Sequence, residues 1–319
     1  MKRRTYLSSL FKGIAVAAGA ASVVKPHQAN AEKPSAPSSE GISCLVDTTL
    51  CIGCRKCEEA CNKANSLPAP EKSFRDKSVF LSPRRPNADA FTVVNRYPGS
   101  PTPYKAHLKE TFVKDQCFHC LDPACVSACI VGALMKSPQG PVLYDADKCI
   151  GCRYCMVACP FQIPAYEYDE AVAPQVRKCS FCIQRLEEGK IPACAAACPN
   201  EAILFGKRSE LLQLAHERIR ENPCCYVDHV YGEHEAGGTS WLYLAGQPFE
   251  KLGFLPIGDC ALPRLTEAIQ HGIFRYGLPP VALYGALGGV MWIVNRKRTI
   301  ASSGQGSKKK KDTKEGSAS

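Results

Sequence analysis

Twenty of the 319 residues are cysteine, and sixteen of them fall into four sets of four. The first is Cys51, Cys54, Cys57 and Cys61, spaced C-x2-C-x2-C-x3-C. The second is Cys117, Cys120, Cys125 and Cys129, spaced C-x2-C-x4-C-x3-C. The third, Cys149, Cys152, Cys155 and Cys159, repeats the first spacing and is followed by Pro160. The fourth, Cys179, Cys182, Cys194 and Cys198, is spaced C-x2-C-x11-C-x3-C and is followed by Pro199. Thiolates at these intervals suit the iron–sulfur cubane, whose four irons sit at the corners of a tetrahedron and each take one thiolate. A tight loop with Cys at every third position wraps three corners. The fourth Cys lies on the helix that follows and reaches a second cluster, so sets bind in pairs by exchanging their last ligands. Four sets therefore predict four [4Fe-4S] clusters, and the fourfold repeat governs the fold. Gly53 and Gly151 let the backbone turn closely enough for amides to reach sulfur. A proline after the last Cys interrupts helical hydrogen bonding and orients the ligand helix.

Other uses of cysteine fit less well. Zinc sites usually take two separated C-x2-C pairs, often with histidine, whereas here three Cys crowd into seven residues twice over. An even cysteine count in an exported chain also suggests disulfides, but Cys residues three apart on one loop suit a metal better than each other. Cys44, Cys224, Cys225 and Cys260 follow no ligand spacing. Each is expected to be a small buried apolar residue, with a disulfide from Cys224 or Cys225 to Cys260 as the alternative. His119 lies within the second set, but the cysteines there already hold the ferredoxin interval, so it is not assigned as a ligand. No G-x-S-x-G, Walker A or dinucleotide fingerprint occurs, and each set offers full coordination with no open metal position. The chain reads as non-catalytic.

The elements that must position these loops are short. Residues 133–144 alternate around Pro138-Gln139-Gly140 and predict a hairpin, and Ala202 to Phe205 predict a strand. Loop, short helix and strand in alternation give an α+β fold of tandem ferredoxin-like modules. Residues 62–116 form an insertion between the first two sets, with strands expected at Val79 to Leu81 and Phe91 to Val94. Ser209 to Arg220 has helical periodicity through Leu211, Leu212, Leu214, Ala215 and Ile219. Residues 231–238 are rich in turn formers, and Trp241 to Leu244 predict a further strand.

The net charge of +10 belongs to the ends. Residues 1–31 hold five Lys/Arg and no acid, residues 271–319 hold nine against two, and the remainder holds 26 basic and 28 acidic residues. A body so close to neutral excludes a nucleic-acid footprint. Residues 1–31 read as a twin-arginine export signal: Arg3-Arg4 before Thr5-Tyr6-Leu7, a mild apolar stretch from Gly13 to Val24, and an A-x-A pattern at Ala29-Asn30-Ala31. Residues 32–43 read as a linker and 44–270 as the cluster-bearing domain. Residues 271–298 read as one membrane anchor, because Gly277 to Val294 carry no charge and Arg296, Lys297 and Arg298 follow at once. Gly285 and Gly289 give that segment a small-residue face. His271 and Arg275 are expected at the interface, and 299–319 form a basic cytoplasmic tail. The body is thus expected on the periplasmic side of the inner membrane.

The four-set pattern, the twin-arginine signal, the run from Cys149 to Pro160, Tyr231-Gly232-Glu233 with Gly237-Gly238-Thr239, and the single C-terminal span together resemble a known family. It comprises the iron–sulfur subunits of membrane-bound molybdoenzymes, such as formate dehydrogenase and dimethyl sulfoxide reductase, and the HybA-type subunits of [NiFe] hydrogenase 2. The resemblance spans nearly the whole chain. It implies nested pairing of the sets, first with fourth and second with third. Cluster 1 would take Cys51, Cys54, Cys57 and Cys198, and cluster 2 would take Cys61, Cys179, Cys182 and Cys194. Cluster 3 would take Cys117, Cys120, Cys125 and Cys159, and cluster 4 would take Cys129, Cys149, Cys152 and Cys155. Asn62 and Ile130 depart from the pattern by standing where the third and fourth sets have proline. The implied role is single-electron relay between a catalytic hydrogenase dimer and an integral membrane quinone-reacting subunit. A molybdoenzyme such as formate dehydrogenase is the alternative partner, and the chain's own export signal favours the hydrogenase.

Overall fold

The computed structural model describes residues 41–99, 110–263 and 281–296. The expected signal, the linker up to residue 40, His271, Arg275 and the tail 299–319 lie outside the described residues. The central sheet has the order β8-β1-β9. Strand β1 (Ile42–Asp47) pairs antiparallel with β8 (Ile203–Lys207) and parallel with β9 (Trp241–Leu244). The expected strands at 202–205 and 241–244 are therefore present. The linker reading of Ile42 and Ser43 is corrected, because both are central-strand residues. The Pro/Ser/Gly bias upstream hid β1, since only Cys44, Leu45 and Val46 form an apolar run, too short to read alone. Cys44 is fully buried, as expected, whereas Cys224 and Cys225 are half-buried and Cys260 is exposed. Helix α6 (Arg208–Glu221) covers the sheet with Leu211, Ala215 and Ile219, one position per turn, packed on Leu45, Leu242 and Leu244. Each fully buried leucine in that layer contributes about 1.5–3 kcal/mol.

The insertion is a long two-stranded ribbon, β2 (Thr92–Pro98) against β3 (Glu110–Gln116). Residues 79–81 are not a strand: Lys77–Leu81 is a 3-10 turn, started by the Asp76 carboxylate accepting from the Ser78 amide and held by buried Val79 and Phe80. Helix α1 (Lys56–Ala64) carries the anchor for this ribbon. The Glu58 carboxylate, 5% exposed, accepts from Arg55 Nη2 at 2.8 Å, Arg84 Nη2 at 2.6 Å and the Val94 amide at 2.7 Å.

Below the sheet lie two loop-and-helix bodies. Helix α1 packs on α5 (Ala193–Ala196), and α2 (Ala124–Ser127) packs on α3 (Tyr154–Ala158). A fifth short helix, α4 (Ile183–Glu187), follows Cys182. The expected hairpin at 133–144 forms as β4 (Leu134–Lys136) with β5 (Val142–Tyr144), and β6 (Ala165–Tyr166) pairs with β7 (Val176–Arg177). Asn62, lacking the proline constraint, lets α1 run three residues beyond Cys61, whereas α3 stops before Cys159-Pro160.

Residues 281–296 form helix α7, on which Val281, Leu283, Tyr284, Leu287, Val290, Met291, Trp292 and Ile293 are exposed. Residues 277–280 of the expected span lie outside the described residues. Among the described residues, no helix is long and apolar enough to cross a membrane.

Candidate metal centres

The four ligand loops share a backbone device. Gly53 and Arg55 in the first loop, and Gly151 and Arg153 in the third, all have φ between 61° and 68°. His119 (φ 50°) in the second loop and Phe181 and Cys182 (φ 56° and 54°) in the fourth are also left-handed. Alternating the hand of successive residues curls amide N–H groups toward a common concavity, which favours an anionic group. The Gly151 amide donates to Cys149 Sγ at 3.4 Å, the Phe181 amide to Cys179 Sγ at 3.4 Å and the Ala133 amide to Cys129 Sγ at 3.2 Å. Asn65 Nδ2 adds a side-chain donor to Cys61 Sγ at 3.6 Å.

The structure brings cysteines of the first set near cysteines of the fourth, and cysteines of the second near cysteines of the third. Burial raises the Cys51 thiol to about 11 against a hydrogen bond from Gly53, and Cys198 and Cys54 add to the rise. One small cavity is lined by Cys51, Cys54, Cys57 and Cys198 together. Cys61 is driven well up by burial and then by Cys179, Cys194 and Cys182. Burial raises Cys120, helped by Cys117, Cys159 and Cys125. Burial raises Cys155 to about 11, helped by Cys149, Cys152 and Cys129. Further cysteines act on one another across the sets: Cys194 on Cys57, Cys117 on Cys179 and Cys155 on Cys125.

This donor set fits clusters. Buried thiols pushed above neutrality ionise only when positive iron compensates the charge, so loading releases protons. Among the described residues, no three His, Cys, Asp or Glu side chains converge closely enough for a single ion. Thiolates sharing one zinc, each about 2.3 Å from it, would lie about 3.8 Å apart. A cubane holds each thiolate on a separate iron and spreads them wider.

His119 is fully buried; its Nδ1 accepts from the Val142 amide at 2.9 Å, so it braces the hairpin. Three lysines near the cysteines, two of them buried (Lys114 and Lys178) and one half-buried (Lys136), escaped the sequence reading. Lys178 Nζ donates to the Val142 and Cys179 carbonyls, and Lys136 Nζ donates to the Cys120 carbonyl at 2.6 Å. Burial lowers Lys136 to about 8 against the pull of Cys120, Cys117 and Cys125. Lys114 is 2% exposed. Burial pulls its ammonium down, but Cys194, Cys57, Cys179 and Cys61 outweigh that and hold it above the ordinary lysine value. The available sequence signal was proximity: Lys178 adjoins Cys179, and Lys114 lies three residues before Cys117.

Comparison with known proteins places this geometry. Residues 108–208 match the family described as a 4Fe-4S dicluster domain. A protein of Nitratidesulfovibrio vulgaris is 45% identical over 96% of this chain and 80% of its own length. The hydrogenase-2 operon protein HybA of Escherichia coli is 32% identical over 90% of this chain and 94% of its own. The chain belongs to the HybA family of iron–sulfur subunits. The nitrate-inducible formate dehydrogenase iron–sulfur subunit of Escherichia coli is similar too, 35% identical over 76% of this chain and 79% of its own. In this HybA-family chain the dicluster match covers the second, third and fourth cysteine sets; the first set lies upstream of it.

Proposed function

We propose that this chain is a non-catalytic electron-transfer subunit holding four [4Fe-4S] clusters, relaying electrons between a hydrogenase catalytic dimer and a quinone-reacting membrane subunit. The observation that carries this reading is the approach of cysteines from nested sets, which a file of four clusters accounts for. Cluster 1 takes Cys51, Cys54, Cys57 and Cys198, and cluster 2 takes Cys61, Cys179, Cys182 and Cys194. Cluster 3 takes Cys117, Cys120, Cys125 and Cys159, and cluster 4 takes Cys129, Cys149, Cys152 and Cys155. The clusters supply one-electron redox chemistry; the chain holds them in order and donates hydrogen bonds to their cysteine sulfurs. Cys54 and Cys152 are exposed, one in the first group and one in the last, and lie beside exposed Ile52 and Ile150. Both ends of the file therefore open to the surface, as entry and exit of electrons require.

The hydrogenase assignment is supported by the HybA relationship over nearly the full length. The formate dehydrogenase reading rests on the similarity to that enzyme's iron–sulfur subunit. In either case residues 1–31 act as a twin-arginine signal and 271–298 as an anchor, placing the body in the periplasm. The unpartnered apolar side chains of α7 and the cationic run after it support the anchor.

The test is anaerobic purification of the tagged full chain from its native membranes, with metal analysis and mass spectrometry of what accompanies it. Nickel with a large and a small hydrogenase subunit is expected, with about sixteen irons per chain for four cubanes. Molybdenum in place of nickel would move the partner to formate dehydrogenase, and fewer than about eight irons would sink the four-cluster reading.

A further inference from the structure

Lys114 reaches the cysteines from outside the ferredoxin-like bodies. It sits on β3, the second strand of the insertion, and its side chain passes inward between the first two thiol groups. It lines the cavity formed by Cys51, Cys54, Cys57 and Cys198. Its charge also acts on thiols of the second group, Cys194, Cys179 and Cys61. Its ammonium is held, not mobile: Nζ donates to Gln116 Oε1 at 2.6 Å and stands 4.3 Å from the centre of the Trp241 ring. Gln116 is fixed in turn by donating to the Tyr243 hydroxyl at 2.6 Å, and that hydroxyl donates to the Lys114 carbonyl at 2.9 Å. Among the described residues no carboxylate forms an ion pair with Lys114. A buried ammonium without a carboxylate is costly unless another anion faces it. Four thiolates outweigh the charge of a cubane core, so each cluster is a net anion that becomes more negative on reduction.

We propose that Lys114 sets the reduction potentials of clusters 1 and 2, raising both by placing one fixed positive charge between them. The insertion thus contributes to electron flow through a single side chain delivered into the cysteine file. Lys114 acts as a positioning residue for charge: it ligates nothing, and its effect is felt through the clusters. A cation favours the reduced, more negative form of whichever cluster it faces, and net charge and burial are among the terms that fix such potentials. On the second set the cations that act are Lys136, on Cys120, and Lys178, on Cys125.

This inference rests on the four-cluster reading, and the experiment separates the two. The full-length chain, loaded with its clusters, is titrated electrochemically while its signals are followed by electron paramagnetic resonance. Iron content and the number of wild-type signals test the four-cluster reading alone. Lys114→Met is expected to keep the iron and to lower two of the four midpoints, with the other two unmoved. Lys114→Arg is expected to keep all four at wild-type values. Four unmoved midpoints in an iron-replete Lys114→Met chain would overturn the proposal. So would equal shifts in the Met and Arg variants, which would mark a packing effect. Gln116→Glu gives an independent reading if the Met variant fails to accumulate, because it places a carboxylate against the ammonium with little change of shape. The same two midpoints are expected to fall, and unmoved midpoints there would also refute the role of the charge.

Discussion

At the scale of single residues, the proposed wiring turns on the fourth cysteine of each set. Cys159 stands just beyond α3, yet Cys117 acts on it and both act on Cys120. Cys159→Ala is therefore expected to remove the iron held by the second set and to spare the cluster of Cys149, Cys152 and Cys155. The double variant Cys120→Ala/Cys159→Ala should lose no more iron than either single change. A further loss of one whole cluster in the double variant would show that the two residues serve different centres. The 4Fe-4S character of the chain was legible in the sequence, because ligand spacing is a local property. The buried lysines were not legible. A lysine reads as a solvated face unless the three-dimensional neighbourhood is known, and only the fold reveals that Lys114 meets anions from two distant segments. The default for Cys224, Cys225 and Cys260 failed for the same reason: burial is decided by what packs above a residue, not by its type.

At the scale of elements, the insertion and α1 are joined by one carboxylate. Glu58 lies on the same helix as Cys57 and Cys61, and it binds Arg55, Arg84 and the Val94 amide at once. Glu58→Gln leaves the Arg55 guanidinium, 3% exposed, without its counter-charge. Removing one partner of a buried ion pair typically costs about 3–5 kcal/mol. Arg84 is 26% exposed, so solvent softens its share and the lower end of that range is expected. Chemical denaturation of the loaded protein measures it, and an unchanged midpoint would refute the anchoring role. The helix at 209–220 and the strand at 241–244 were readable from periodicity and β-branched or aromatic content. The turn at Lys77–Leu81 was mistaken for a strand because three apolar residues fit either period, and a capping aspartate settled the matter locally. Strand β3 was missed altogether, since Phe112 and Val113 are followed by Lys114, Asp115 and Gln116, with no apolar–polar alternation to mark a strand.

At the scale of the whole molecule, attachment and folding belong together. A chain ended at residue 270 is expected to appear in the soluble fraction with its iron, while the full chain sediments with membranes. Membrane recovery of the shortened chain would remove α7 from the anchoring role. The nesting of the thiol groups has a temporal side. The inner groups draw on residues 117–159 alone, whereas the first group needs Cys198 to meet Cys51 across nearly 150 residues of chain. Contacts between near neighbours in sequence form sooner than distant ones, because less chain entropy is lost in closing them. During synthesis the inner body can take up iron before the outer body has all its ligands. A fragment of residues 110–178 should then hold two cubanes, about eight irons, without the rest of the chain. An iron-free fragment would mean that loading waits for the outer body. If the fragment does load, the inner body fills first, and the outer ligands are completed only when the fourth set has been synthesised.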